Sequence, residues 1–299
     1  MAQTKTMFFV TIINDKSEQD LAPIVEKYKS FLKIIYLENE INQGPGATRQ
    51  RGIDFSSNFK PSFDYIMFVD SDDFLYPRAV ELLYEEAKRT GADIIYTPIT
   101  FEKSNGKVEL IELGENTTWC HGKIYKTKFL KDKNITFPKD RIYSEDSYFN
   151  LIANYMTTNK RYLNESCYLW KNNPNSLTRN KEFDFIEYHL IDYIKSQLLA
   201  LQFLIKNHGY DRFLISTIAN LYSSYQFQKY LNASELEPLT ESLLELGQHP
   251  VIKQLLSNKE VLIYGSKYLI QSKEYHKDIF LFNETFLAWC ERALGIIIN

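Results

Sequence analysis

The sequence predicts an α/β fold in which strand and helix alternate through the first half and helices alone fill the last third. Three observations predict it. Short apolar runs of strand length recur between residues 8 and 99, helix-patterned stretches separate them, and from about residue 181 the helical pattern continues without strands. Alternation of this kind argues for a mostly parallel sheet with helices on both faces.

The elements follow in order. "FFVTII" reads as a buried strand and "SEQDLAPIVEKYKSF" as a helix beginning at Ser17 or Asp20. "LKIIYL" is the next strand. "NQGPGATRQRG" is a glycine-rich turn leading into a short helix. "YIMFVD" is a strand, and "PRAVELLYEEAKRTG" is a helix with Pro77 at its start and Gly91 at its end. "ADIIYTPI" is another strand. "ITFEKSNGKVELI" predicts a hairpin turning at Asn105-Gly106.

Further on, "SEDSYFNLIANYM" reads as a helix capped by Ser144, and "RYLNESCYLW" as a strand. Four helical stretches follow, punctuated by Gly209, Gly247 and His249-Pro250. Their aromatic stripes fit packing better than a cofactor site. The expected domains are therefore 1–180, an α/β domain, and 181–299, a helical region.

Bulk properties narrow the function. The 299 residues carry a formal charge of -3 and a pI near 6.0, which argues against a nucleic-acid surface spread over the whole protein. Three widely spaced cysteines, Cys120, Cys167 and Cys290, form neither a zinc spacing nor a disulfide framework, so a reducing cytoplasm is the expected setting. The opening apolar run is too short for a signal peptide, and no stretch reaches the roughly 18 apolar residues of a membrane span. Peripheral membrane contact through the last helices and a homo-oligomer both stay open.

The chemistry gathers where "YIMFVD" ends. Asp70, Asp72 and Asp73 sit at the carboxyl end of a strand, where open α/β sheets bind ligands. Carboxylates this close together repel unless a cation or hydrogen-bond donors compensate them. Oxygen ligands suit Mg²⁺ or Mn²⁺ bridging to substrate phosphates. Taken alone, "DSDD" is equally compatible with one carboxylate capping the helix near Pro77 while the others are solvated. The turn "GPGA", with Arg49 and Arg51 nearby, adds amides and positive charge suited to a phosphate.

Asn42-Gln43-Gly44, "ATRQRGID", "YIMFVDSDD" and then "GKIYKTKFLKDKNITFP" ahead of "YSEDSYF" resemble, in order and spacing, the inverting glycosyltransferases of family 2. The resemblance covers roughly residues 8 to 180 and implies a GT-A fold, a Rossmann-like, mostly parallel sheet. It also implies a metal, Mn²⁺ or Mg²⁺, on Asp70 and Asp72, which would hold the donor's ribose-diphosphate. Asp73 would orient the loop or cap the helix. Asp146 would be the general base and Glu145 would position the acceptor, although "SED" is also an ordinary helix start. Arg49 would steady the donor phosphates or the acidic loop. "NDKSEQD" matches the family's nucleotide stretch, so Asp15 would read the uracil or its ribose, although Asn14 replaces an acid and Lys16 a glycine. Arg179, in "NNPNSLTR", would contact the diphosphate, and His121 lies in a segment near the acceptor side. Set against the family, the usual first strand–helix unit is missing; Glu260–Ser266, the end "GIIIN" or another subunit could supply its strand, or else the sheet is rearranged or the chain is an inactive remnant. The helical region would recognise the acceptor or build an oligomer.

The implied activity moves a sugar from a nucleotide sugar, most simply a UDP-sugar, to an acceptor hydroxyl on a glycan, cell-wall polymer, lipid-linked sugar or protein. Two other readings fit the same residues. One is a non-catalytic nucleotide-sugar or glycan-binding module. The other is a nucleotidyltransferase, although "NQGPGATRQRG" lacks the lysine a triphosphate cradle would want.

Overall fold

A computed structural model describes residues 3–4, 8–111, 118–139, 144–174, 185–209, 211–227, 231–275 and 285–297. The chain forms two compact units, Met1–Arg141 with Glu145–Pro174, and Ile142–Ser144 with Asn175–Asn299.

In the first unit, β1 (Phe9–Asn14) and β2 (Lys33–Glu38) pair in parallel through α1 (Ala22–Lys29). Asp20 accepts a hydrogen bond from the Ala22 amide, so the acid read as a helix start does sit at the helix entrance. Helix α2 (Pro45–Asn58) starts after Gly44 at φ 85°, a backbone angle that favours glycine, and Pro45 occupies its first turn, where no N–H is needed. It is longer than the short helix expected.

Strand β3 (Tyr65–Met67) is shorter than "YIMFVD", and residues 68–70 run on as the loop that carries the acids. Beyond β4 (Phe74–Leu75), α3 (Ala79–Thr90) ends at Gly91 with φ 60°, as its sequence predicts. Its buried face, Ala79, Leu83 and Ala87, packs on Ile95, Ile124 and Cys167.

Strands β5 (Ile94–Tyr96), β6 (Ile99–Glu102), β7 (Val108–Ile111) and β8 (Lys123–Lys126) follow, then α4 (Thr127–Asp132) and α5 (Glu145–Met156). "RYLNESCYLW" splits into two strands, β9 (Lys160–Tyr162) and β10 (Tyr168–Trp170), which join different sheets.

The sheets are mixed. The order β3-β8-β5-β9 has antiparallel pairs flanking β8 and a parallel β5/β9 pair. In β4-β10-β6-β7 only β10/β6 is parallel. The antiparallel β6/β7 pair is the hairpin expected at Asn105-Gly106, with Gly106 at φ 78°. No strand among the described residues lies on the far edge of β1.

The second unit is helical among its described residues, with α6 (Phe185–Lys206), α7 (Asp211–Tyr225), α8 (Ala233–Gln248), α9 (Pro250–Leu256), α10 (Lys259–Tyr275) and α11 (Phe286–Leu294). Asn232 and Glu235 form a capping box that starts α8. The aromatic stripes are packing: Trp289 is fully buried against Tyr222, Tyr225 and Phe286.

One expectation fails here. Glu260–Ser266 lies inside α10 and supplies no strand, and residues 295–297 are not strand either, residues 298–299 lying outside the described set. Gly247 is the last residue but one of α8, and a Cβ there would come 1.8 Å from the Leu294 carbonyl oxygen, so it also allows the close approach of α11. Among the described residues no helix is long and apolar enough to cross a membrane.

Candidate active site

The acidic loop hangs from Phe68, which is buried edge-on against Phe137 and Phe149. The Asp73 amide donates to the Asp70 carbonyl at 3.1 Å and closes a tight turn. The three carboxylates find different partners. Asp70 accepts from Arg49 Nη2 at 2.8 Å and lies 3.1 Å from His121 Nε2. Asp73 accepts from the Tyr168 hydroxyl at 2.6 Å and from the Lys171 amide at 2.9 Å, one bond to each oxygen. Asp72 is exposed and accepts from Asn173 Nδ2 at 2.8 Å.

Arg49 stands one turn into α2 and donates to both Asp70 and Glu145, the latter at 2.5 Å. Gly46 makes that possible. A Cβ there would lie 2.9 Å from Glu145 Cγ, so α2 and α5 meet across a bare backbone. Glu145 and Asp146 open α5, and Phe149, one turn on, stacks on Phe137 at 4.2 Å.

Below them Asn150 is fully buried. Its Nδ2 donates to the Asp146 carbonyl at 2.8 Å and reaches the Thr118 carbonyl at 3.4 Å. Its Oδ1 accepts from the Tyr125 hydroxyl at 2.5 Å and from Lys123 Nζ at 3.3 Å. Lys123 also donates to the Trp119 carbonyl.

The carboxylates titrate apart. Burial works against charge on Asp70, but the His121 hydrogen bond and the Arg49 charge outweigh it and hold its carboxyl well below the usual range. Burial and the neighbouring Asp146 push Glu145 up to about 7, against the pull of Arg49. Burial also raises Asp146, opposed by Arg49 and His121. Environments that separate two carboxylates in this way are how sites divide proton donor from proton acceptor. Burial pushes the Cys120 thiol up to about 12 and makes it inert, and it lowers Lys123 to about 8.

Asp70, Asp73 and His121 each place a ligand atom within 4.8 Å of the others. Both oxygens of Asp70 and both of Asp73 already have partners in Arg49, His121, Tyr168 and Lys171, so an ion here would compete with those contacts. The carboxylates of the cluster suit Mn²⁺ or Mg²⁺.

Of the residues picked out in the sequence, Asp70, Arg49 and Glu145 are bonded into one chain, with Asp146 beside Glu145. Asp15 is occupied elsewhere. Its carboxylate accepts from the Gln43 and Gly44 amides at 2.9 and 2.7 Å and from Asn39 Nδ2 at 2.7 Å. The Gly44 amide, in the turn expected to face a phosphate, is thereby spent on Asp15. Arg179 lies outside the described residues.

Tyr168, Asn150 and Lys123 escaped the sequence reading, and His121 passed as a lone histidine. Its signal was the following Gly122. At φ 64°, with a Cβ site 2.7 Å from Ile99 Cγ2, this glycine forces the tight turn that aims His121 at Asp70.

Comparison with known proteins bears on the fold and the sequence. Residues 1–143 match the family described as Glycosyl transferase family 2. A poly(ribitol-phosphate) beta-glucosyltransferase of Bacillus spizizenii is 28% identical over 162 residues, 50% of this chain and 25% of that protein. The poly(ribitol-phosphate) beta-N-acetylglucosaminyltransferase TarS of Staphylococcus aureus is 27% identical over 168 residues, 52% of this chain and 28% of TarS. The chain thus spans about a quarter of the length of these curated relatives. The crystal structure of S. aureus TarS 1–349 in complex with UDP-GlcNAc matches with a TM-score of 0.65 at 19% identity, covering 94% of this chain and 86% of that one. At that identity the likeness speaks for the fold, which is GT-A. Through residues 1–143, just under half of its length, the chain is similar to glycosyl transferase family 2.

Proposed function

We propose that this protein transfers a sugar from a nucleoside-diphosphate sugar, a UDP-sugar by analogy with the UDP-GlcNAc complex of TarS, to an acceptor hydroxyl with inversion at the anomeric carbon. One observation carries the reading. Arg49 bonds a strand-end acid, Asp70, and a helix-start acid, Glu145, so the donor-side and acceptor-side carboxylates share a single guanidinium.

Asp146 takes the acceptor hydroxyl's proton as the new bond forms, a role in which a positioned base contributes ~10²–10⁴-fold. Its raised affinity for protons suits that task. Glu145, fixed by Arg49 and backed by Gly46, orients the acceptor beside it. Asp70, kept charged by Arg49 and His121, holds the donor end with Asp72. A divalent ion bound there would supply positive charge to the departing diphosphate. Asp15 serves the nucleotide indirectly, by holding the turn ahead of α2. The three buried, free cysteines suit a reducing compartment such as the cytoplasm.

The test is incubation of the full chain with a panel of UDP-sugars and Mn²⁺ while released UDP is measured. Slow, metal-dependent release from at least one donor is expected. A chain that binds and cleaves none of them sinks the reading.

A further inference from the structure

Beside Asp70 the protein builds a wall of aromatic rings that the chemistry above does not use. Trp170 of β10 lies directly opposite Phe101 of β6, with ring centroids 5.4 Å apart. Two residues back on the same face of β10, Tyr168 stacks on His121 at 5.0 Å and 16°. His121 also meets Trp170 at 5.6 Å, and Trp119 meets Trp170 at 5.2 Å. The series therefore runs from Asp70 through His121 to Trp170 and Trp119.

Burial is graded along it. Tyr168 and His121 are closed off, whereas Trp170 and Trp119 are only half-buried. The far end of the wall returns to the other acid. Asn150 bonds the Asp146 carbonyl and the Thr118 carbonyl, and Lys123 bonds the Trp119 carbonyl, so the Trp119 backbone is pinned beside the first turn of α5.

We propose that the Trp119–Trp170 surface is an acceptor subsite for an uncharged pyranose ring, which lays its apolar C–H face on the indoles and its hydroxyl edge toward Asp146. This deepens the transferase reading and rests on it for the direction of the hydroxyl. Flat rings of C–H groups with polar rims match amphipathic aromatic surfaces.

Charge selects against the other acceptor chemistry, a polymer of alditol phosphates. Asp70, Asp72, Asp73, Glu145 and Asp146 make the surroundings acidic. The cations described nearby are engaged: Arg49 by two carboxylates, Lys123 by Trp119 and Asn150, and Lys171 by Glu102. A polyanion would meet repulsion from these acids wherever no bound cation offsets them, and a neutral sugar would not.

The experiment is a titration of the full chain, with saturating UDP and Mn²⁺, using chitotriose and cellotriose as neutral probes and ribitol 5-phosphate as the anionic one. Tryptophan emission and saturation-transfer NMR report binding, with Trp289→Phe removing the buried background. A neutral trisaccharide is expected to shift the emission and to take up saturation on its ring C–H protons. Trp170→Ala and Trp119→Ala should each weaken its binding at least tenfold, and the Phe versions should keep most of it, which also covers an alanine variant that fails to fold. Tighter binding of ribitol 5-phosphate, or trisaccharide binding untouched by these substitutions, overturns the subsite, as does no trisaccharide binding by a wild-type chain that binds UDP-sugar. Oligosaccharide binding on the tryptophans of a chain that binds no UDP-sugar supports the subsite and overturns the transferase reading alone.

Discussion

Arg49 and Glu145, 96 residues apart in the chain, form an ion pair with side chains 16% and 8% exposed, and the same guanidinium holds Asp70. Removing the arginine leaves a buried carboxylate with its charge uncompensated. Breaking such a pair from one side costs about 3–5 kcal/mol. Arg49→Met should therefore lower the melting temperature by several degrees and abolish turnover. A thermal melt that matches wild type would show the pair to be ornamental.

Glu145 makes stability depend on pH with a definite sign. Its affinity for protons rises from an ordinary 4.5 in the unfolded chain to about 7 in the fold, with burial as the leading cause. Between those values the folded state binds more protons than the unfolded one, so this group's contribution is complete below about pH 4.5 and is lost as pH rises through 7. Glu145→Gln, which is neutral throughout, should flatten that part of the profile in denaturant melts taken from pH 5 to 8.

Asp146→Asn should lower transfer by ~10²–10⁴-fold, the range for loss of a positioned base. Calorimetric affinity for the UDP-sugar with Mn²⁺ should change little, because Asp146 is assigned to the acceptor. Loss of donor binding with transfer rate per bound donor intact would reverse that assignment.

Asp70 is the carboxylate the fold keeps most firmly charged, and chelation should act where its removal acts. Excess chelator is expected to stop UDP release and added Mn²⁺ to restore it. Asp70→Asn should abolish release beyond rescue by Mn²⁺. Unchanged release in chelator would rule out a metal at this loop.

Gly46→Ala gives a sign opposite to helix propensity. Alanine is ordinarily favoured over glycine in a helix, by up to about 1 kcal/mol. Here its Cβ would lie 2.9 Å from Glu145 Cγ, and overpacking of this kind costs about 1–3 kcal/mol. The variant should melt lower and turn over more slowly, whereas a higher melting point would mean that Glu145 moves away freely.

Much of this was written into local sequence. Gly44-Pro45 fixed the start of α2, Gly91 the end of α3 and Asn105-Gly106 the hairpin, because each depends on backbone angles that few residues adopt. The order of turn, acidic loop and "SED" helix points to Asp70, Arg49, Glu145 and Asp146 only through the family resemblance that it carries. Tertiary structure decided which partner each acid takes. It gave the Gln43 and Gly44 amides to Asp15, locked Asp73 onto Tyr168, and set His121, Trp170 and Trp119 in line beside Asp70. It also turned Glu260–Ser266 into helix, since an apolar run of that length suits strand and helix alike until packing chooses. Sequence by itself determined the local turns and the kinds of acid available. Which residues meet depended on long-range packing, because hydrogen bonds and ring contacts between residues tens of positions apart leave no periodic trace in the chain.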